Sequence, residues 1–280
     1  MAIYLQVRDT AVHTAVHTYT HADTGRTITQ VGTIHFGEPA YFQHLRDVIE
    51  KLEAGGATVH CEGTRTGTTT DKELLAQATD EERAALKLMS AHNALTLKRV
   101  AEWGWTFQQL GLPARGTWHN HDLTALDIIR ALGPQLLIRR FGRTAKFLDW
   151  PATAKRKPHL FRLSVGLSLR LQASDRRERR RPHGLEYRNQ ALRDVVNRRR
   201  TELALTAAEQ HLTTRDTDLV LVWGASHLTA FGLRLEALGF TRTDTTWHRV
   251  GALPRIHTLL VDLLLGRTLP VPVSEGEPVG

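Results

Sequence analysis

Cysteine occurs once in this 280-residue chain, at Cys61, so no disulfide can form within it. A lone thiol points to a reducing compartment rather than a cross-linked secreted fold. Long apolar runs are missing as well. The longest candidate, Leu259 to Leu265, contains Asp262 and is followed by Arg267, far short of the ~20 residues that span a bilayer. The first residues, Met1 to Asp9, lack the basic and apolar regions of a secretory signal. Together these absences predict a cytoplasmic protein with no transmembrane segment. There is no internal repeat at solenoid period. There is also no helix-turn-helix, finger or RNA-recognition signature. Nucleic acid is therefore an unlikely partner, although the formal charge of +8 favours anionic ligands in general.

What is present suits one α/β domain. Apolar residues make up 41%, a little low but enough for a packed core. The length exceeds one small core and falls short of two full ones. We expect a single domain over 1–270, a mixed central β-sheet with flanking helices, and a loose tail over 271–280. Ile3 to Val7, Ala11 to Thr20 and Ile28 to Val31 read as strands, with turn chemistry at Ala22-Asp23-Thr24-Gly25. Tyr41 to Ala54 has helical spacing and ends at Gly55-Gly56, and Ala57 to Glu62 follows as a short strand, which makes a βαβ unit. Two capping-box patterns, at Thr70 and Thr79, announce helices. Thr117 to His119 reads as a short strand, and Asp122 reads as the N-cap of a helix through Leu132. Residues 134–185 mix apolar residues with arginine and read as a basic helical insertion or lid. Within them Leu160 to Leu171 alternates apolar and polar positions, as a core strand or a surface-seeking segment would. Glu186 to His211 reads as a long helix. The strand Leu219 to Trp223, a helix over Leu228 to Leu238 and a strand from Thr241 to Val250 follow.

Two short motifs carry the functional reading. Gly32-Thr33-Ile34-His35 and Gly224-Ala225-Ser226-His227 each close an apolar strand-like run, near opposite ends of the chain. In open α/β sheets functional groups collect at strand ends, so a fold that brings these two ends together makes one site. Glu62 sits at a third strand end. Two imidazoles and a carboxylate suit Mn, Co or Zn with open positions for water and substrate. Without a metal, one imidazole serves as general base while Glu62 sets its tautomer. Gly32 and Gly224 allow close backbone approach to a ligand. Arg188 and Asn189 open the long helix; an arginine there can grip a carboxylate or an oxyanion, while the residues by themselves favour a solvated helix face with Arg193 beside Asp194. His119 to Asp122 form a polar cluster from which Asp122 or His121 can serve as an extra site residue. His13, His17 and His21 share one strand face in a Thr-rich setting that suggests exposure. Ser226 lacks the second glycine of a nucleophile elbow, and Cys61 reads as a small buried residue.

The ordered set Val31-Gly32-Thr33-Ile34-His35, Val59-His60-Cys61-Glu62, Arg188-Asn189 and Val222-Trp223-Gly224-Ala225-Ser226-His227-Leu228 resembles the TraB/GumN/TIKI superfamily, which includes erythromycin esterase-like and ChaN-like proteins. The resemblance spans about residues 28–250. It implies an α/β core with His35, Glu62, Arg188 and His227 in one catalytic site, Asn189 beside it, and hydrolysis of a peptide, ester or amide with or without a divalent metal on His35, Glu62 and His227. The chain departs from relatives that carry membrane segments or export signals, and it adds the run Arg176 to Arg181. That run suits an acidic partner. The alternative to a hydrolase is a binding protein for a metal, haem or small anion that docks an acidic partner there.

Overall fold

The computed structural model describes residues 4–63, 75–149, 157–173 and 194–265. The protein is mixed α/β. Its seven-stranded sheet begins as a meander. Strand β1 (Leu5–Arg8) turns into β2 (Ala11–His21), which pairs antiparallel with β3 (Thr27–Thr33). From β3 onward the sheet is parallel: β8 (Leu219–Gly224) lies beside β3, β5 (Thr58–Cys61) beside β8, and β7 (His119–Asn120) beside β5. The last strand, β9 (Phe240–Ala252), runs antiparallel along β2. Two short strands, β4 (Phe36–Gly37) and β6 (Thr106–Phe107), pair separately.

The expected βαβ unit exists in altered form. Helix α1 (Pro39–Ala54) connects β3 to β5, but β8, from much later in the chain, is inserted between them. Every residue of β8 except its last is buried, as a strand covered on both faces requires. Val220 and Val222 join Val31 and Val59 under α1, which contributes Tyr41, Phe42, Leu45 and Ile49. Leu219, Leu221 and Trp223 face the other way. They pack with Ala204, Leu205 and Ala208 of α7 (Arg200–Thr214) and Leu228, Phe231 and Leu235 of α8 (Leu228–Ala237). The period-2 alternation of one strand thus splits the core into two layers.

Further helices follow α1 in the chain. Helix α2 (Asp80–Ala101) starts at the expected Thr79 capping box: the Thr79 hydroxyl accepts from Glu82 N–H and Glu82 accepts from Thr79 N–H. The short α3 (Gln108–Gly111) follows, then α4 (Ala125–Leu132), α5 (Pro134–Asp149) and α6 (Lys157–Ala173). Ala85, Ile129 and Leu137 bind α2, α4 and α5 into a small core of their own. Residues 160–171 are therefore helix, not strand. Arg162 donates to Glu102 O and stacks over Trp103, Arg170 donates to Pro254 O, and Leu169 is buried. Both arginines bond to the protein's own carbonyls. A π-helical turn (Asp194–Arg199) precedes α7, and α9 (Ile256–Leu265) ends the described chain. Among the described residues no helix is long and apolar enough to cross a membrane. The Thr70 capping pattern, residues 186–193 of the expected long helix, Arg176 to Arg181 and the 271–280 tail lie outside the described residues.

Two local expectations are corrected. Asp122 does not cap a helix: α4 is capped by Thr124, in a reciprocal box with Asp127. Asp122 lies two residues earlier and turns inward. His17 is buried rather than exposed, with its ring edge-on to Tyr4 at 4.6 Å and Nδ1 against the Thr245 hydroxyl at 2.8 Å. Tyr4 and Tyr19, at 4.6 Å and 6.4 Å, cover it on the same face of the sheet.

Candidate functional site

All four parallel strands deliver a polar residue at their carboxyl ends. His35 follows β3, Glu62 follows β5, Asp122 follows β7 and His227 follows β8. Carboxyl ends of parallel strands are where α/β sheets place ligands. The two Gly-x-x-His turns touch directly, because Ala225 N–H donates to Thr33 O at 2.8 Å. Glu62 N–H donates to Val222 O at 2.9 Å, which fixes the third turn to the second.

The buried centre is a charge cluster around Arg200. Its Nε donates to Asp122 Oδ1 at 2.7 Å, and its Nη2 donates to Asp122 Oδ2 at 2.5 Å and to Glu62 Oε1 at 2.7 Å. The Asp122 carboxylate is wholly buried and the other two side chains nearly so. Charged groups are tolerated at such depth only when paired and hydrogen-bonded. Asp122 also accepts from Gly63 N–H and Leu123 N–H. The second Glu62 oxygen accepts from Gly224 N–H in a short bond.

That bond explains Gly224. A Cβ there would stand 2.9 Å from Glu62 Oε2, so only glycine lets the carboxylate reach the backbone. Gly32 has a different reason from the one expected. A Cβ on it would meet Ala15 O at 2.8 Å and Leu228 Cδ2 at 3.1 Å, so it serves the packing of α8 on the sheet rather than approach to a ligand.

His227 lies against the same cluster and is buried. Its Nδ1 is 2.8 Å from the Thr201 hydroxyl, whose one proton goes to Asn197 O at 2.6 Å. The hydroxyl must therefore accept, so Nδ1 carries the proton and Nε2 holds a lone pair. Nε2 stands 3.7 Å from Glu62 Oε1. Burial lowers the His227 pKa below its ordinary value, against the opposing pull of the Glu62 carboxylate. The ring is thus neutral near pH 7 and able to accept a proton.

Glu62, Arg200 and His35 line a cavity of about 320 Å³. Its far wall is apolar, built by Met89 of α2, Ile128 and Leu132 of α4, and Leu137 and Phe141 of α5. His35 is exposed and stacks on Phe107 at 6.3 Å. Residues 134–149 thus supply part of the cavity wall. Apolar walls with a few convergent polar groups are the usual form of a small-ligand site.

A metal needs at least three protein ligands in a catalytic zinc site. Among the described residues no group of three His, Cys, Asp or Glu side chains is placed to hold one. His227 Nε2 and Glu62 Oε1 supply two donors at a compatible separation, one short of a site. Cys61 is buried and reduced, its thiol pushed up to about 12 by desolvation and by the Asp122 and Glu62 carboxylates. It is no nucleophile.

Of the expected residues, Glu62, Asp122, Gly224 and His227 come together, and His35 lines the cavity that Glu62 also lines. Arg188 and Asn189 lie outside the described residues. Arg200 and Thr201 were missed. Arg200 ends the run Arg198-Arg199-Arg200, which reads as a solvated face. The available signal was phase: Arg200, Ala204, Ala208 and His211 share the buried stripe of α7. No protein-family model, curated protein or solved structure matches this chain.

Proposed function

We propose that the protein is a hydrolase of a carboxylic ester, amide or short peptide, with Glu62, His227, Arg200 and His35 as its working residues. The observation that carries this reading is a pair of acceptors, Glu62 on the cavity wall and the buried His227 beside it. Glu62 Oε1 and the lone-pair nitrogen of His227 stand 3.7 Å apart, so one water can lie about 2.8 Å from both. Such a water points both protons at acceptors and leaves its lone pairs towards the cavity. In the proposed reaction its oxygen bonds to the substrate carbonyl carbon while one proton passes to His227 Nε2. The imidazolium so formed is stabilised by Glu62 in front and by the Thr201 hydroxyl behind. Arg200 places a fixed positive charge at the cavity wall, where an oxyanion develops. The carbon–heteroatom bond then breaks, and the leaving group takes the proton held on the imidazole.

The order of the motifs in the TraB/GumN/TIKI resemblance supports the same chemistry, with Arg200 filling a role that the resemblance gives to Arg188. The neutral, tautomer-locked His227 favours a metal-free base. The His227–Glu62 pair also favours a second form of this reading, in which an ion completed by a further ligand joins the site.

The test is a screen of untagged protein against acyl esters, aminoacyl anilides and short peptides, with EDTA and separately with Mn, Co or Zn. Hydrolysis that falls about 10²–10⁴-fold in His227→Gln and Glu62→Gln, with the fold retained, is the expected result. Turnover equal to wild type in both variants would sink the proposal. Absence of turnover across all classes, with and without metal, would leave the cavity as a binding site for a small anion or a metal.

A further inference from the structure

Four histidines meet on the opposite side of β5 from Cys61. His60 lies on β5 and is paired in register with His119 on β7. Its ring centroid is 4.4 Å from that of His121, 5.3 Å from that of His211 and 5.5 Å from that of His119. His119 and His121 are 6.2 Å apart and nearly parallel. Two imidazoles bound tetrahedrally to one zinc at ~2.0–2.1 Å place their centroids about 5 Å apart, so these rings are already spaced as ligands are.

Two further features suit coordination. His60 is 4% exposed, and its Nδ1 is buried with no hydrogen-bond partner. A buried, unsatisfied ring nitrogen costs stability unless something binds it. His211 Nε2 lies 3.2 Å from Thr217 O. The Thr217 hydroxyl lies 3.1 Å from the same nitrogen; with the proton on Nε2 both oxygens accept from it and Nδ1 keeps the lone pair. A backbone carbonyl holding the distal N–H is the usual support for a metal-bound histidine.

We propose that His60, His119, His121 and His211 form a binding site for one divalent transition-metal ion, zinc or copper(II) by its all-imidazole donor set. The site is distinct from the His35, Glu62, Arg200 and His227 cluster and does not depend on it. Among the described residues no three side chains are yet in metal-holding geometry. Closure therefore requires the rings to move; His119 is exposed and His121 half-buried.

The experiment is competition titration of untagged, EDTA-stripped protein with Zn(II) against a chromophoric chelator, with electron paramagnetic resonance of the Cu(II) form. Wild type, His119→Gln/His121→Gln and His227→Gln are compared, with folding checked by circular dichroism. His119→Gln alone replaces the double variant if that does not fold. The expected result is one equivalent of zinc bound at micromolar dissociation constant or tighter. It should weaken at least tenfold in the His119/His121 variant and not in His227→Gln, and the copper spectrum should show three or more nitrogen ligands. Absence of stoichiometric binding in wild type overturns the proposal. So does binding that survives the His119/His121 change, or that falls as far in His227→Gln.

Discussion

Arg200 is held between two buried carboxylates, and its removal is the most damaging single change the site offers. Arg200→Met leaves Glu62 and Asp122 buried together without their shared cation. Breaking a buried pair costs about 3–5 kcal/mol, and denaturant unfolding should show a loss of that order. Gly224→Ala acts through one atom. Its Cβ would stand 2.9 Å from Glu62 Oε2, so the carboxylate must swing away and lose the backbone bond. Hydrolysis should fall at least tenfold with a smaller loss of stability, read by comparing kcat/KM with the unfolding midpoint. Thr201→Val removes the acceptor that fixes the His227 tautomer. The acid limb of wild-type kcat/KM should lie below pH 6.5, because burial depresses the His227 pKa. In the variant the maximum should drop, since part of the histidine population then carries its proton on Nε2. A profile unchanged in height and position would remove His227 from the base role.

At the scale of elements, the decisive contact is between α8 and the sheet. Gly32 on β3 lies under Leu228, and α8 begins immediately after His227. Gly32→Val would wedge the helix off the strand and displace the site with it. Overpacking of this kind costs about 1–3 kcal/mol, and here activity should fall along with stability. Thr79 provides a contrast. Thr79→Ala breaks the reciprocal cap on α2, for about 1 kcal/mol, far from Glu62 and His227. Thermal unfolding should shift by a few degrees with kcat unchanged. The π-turn over Asp194–Arg199 has a consequence of its own. It widens the turn that leads into α7 and sets Asn197 O within 2.6 Å of the Thr201 hydroxyl, so the tautomer of His227 depends on backbone geometry one turn away.

For the whole molecule, buried neutral histidines govern the response to acid. His17 is lowered to about 4 by burial and His60 to about 3, and His211 and His227 are lowered as well. In the unfolded chain each binds a proton near pH 6.5. Between that pH and the folded values the unfolded state binds more protons, so stability rises with pH. It is fully present above about pH 6.5 and is lost as pH falls towards 4 and then 3. The midpoint of thermal unfolding in EDTA should therefore drop steadily from pH 6.5 to 4. A midpoint flat over that window would contradict the burial of these rings.

The sequence alone determined the local grammar. The Thr79 cap, the α1 stop at Gly55-Gly56, the three early strands and both Gly-x-x-His turns were legible because each rests on neighbours within a few residues. It also named Glu62 and His227, because strand ends mark themselves by apolar runs. Only the tertiary structure decided that β8 slots between β3 and β5, since strand order follows from burial on both faces and not from chain order. It alone turned Asp122 inward and drew Arg200 to it from the end of a charged run. Whether a charge faces water or a buried partner depends on what packs against it, and those partners come from distant parts of the chain. The alternation of residues 160–171 misled for a related reason: its apolar side chains and its two arginines find their places on neighbouring elements, and these, not local period, chose a helix.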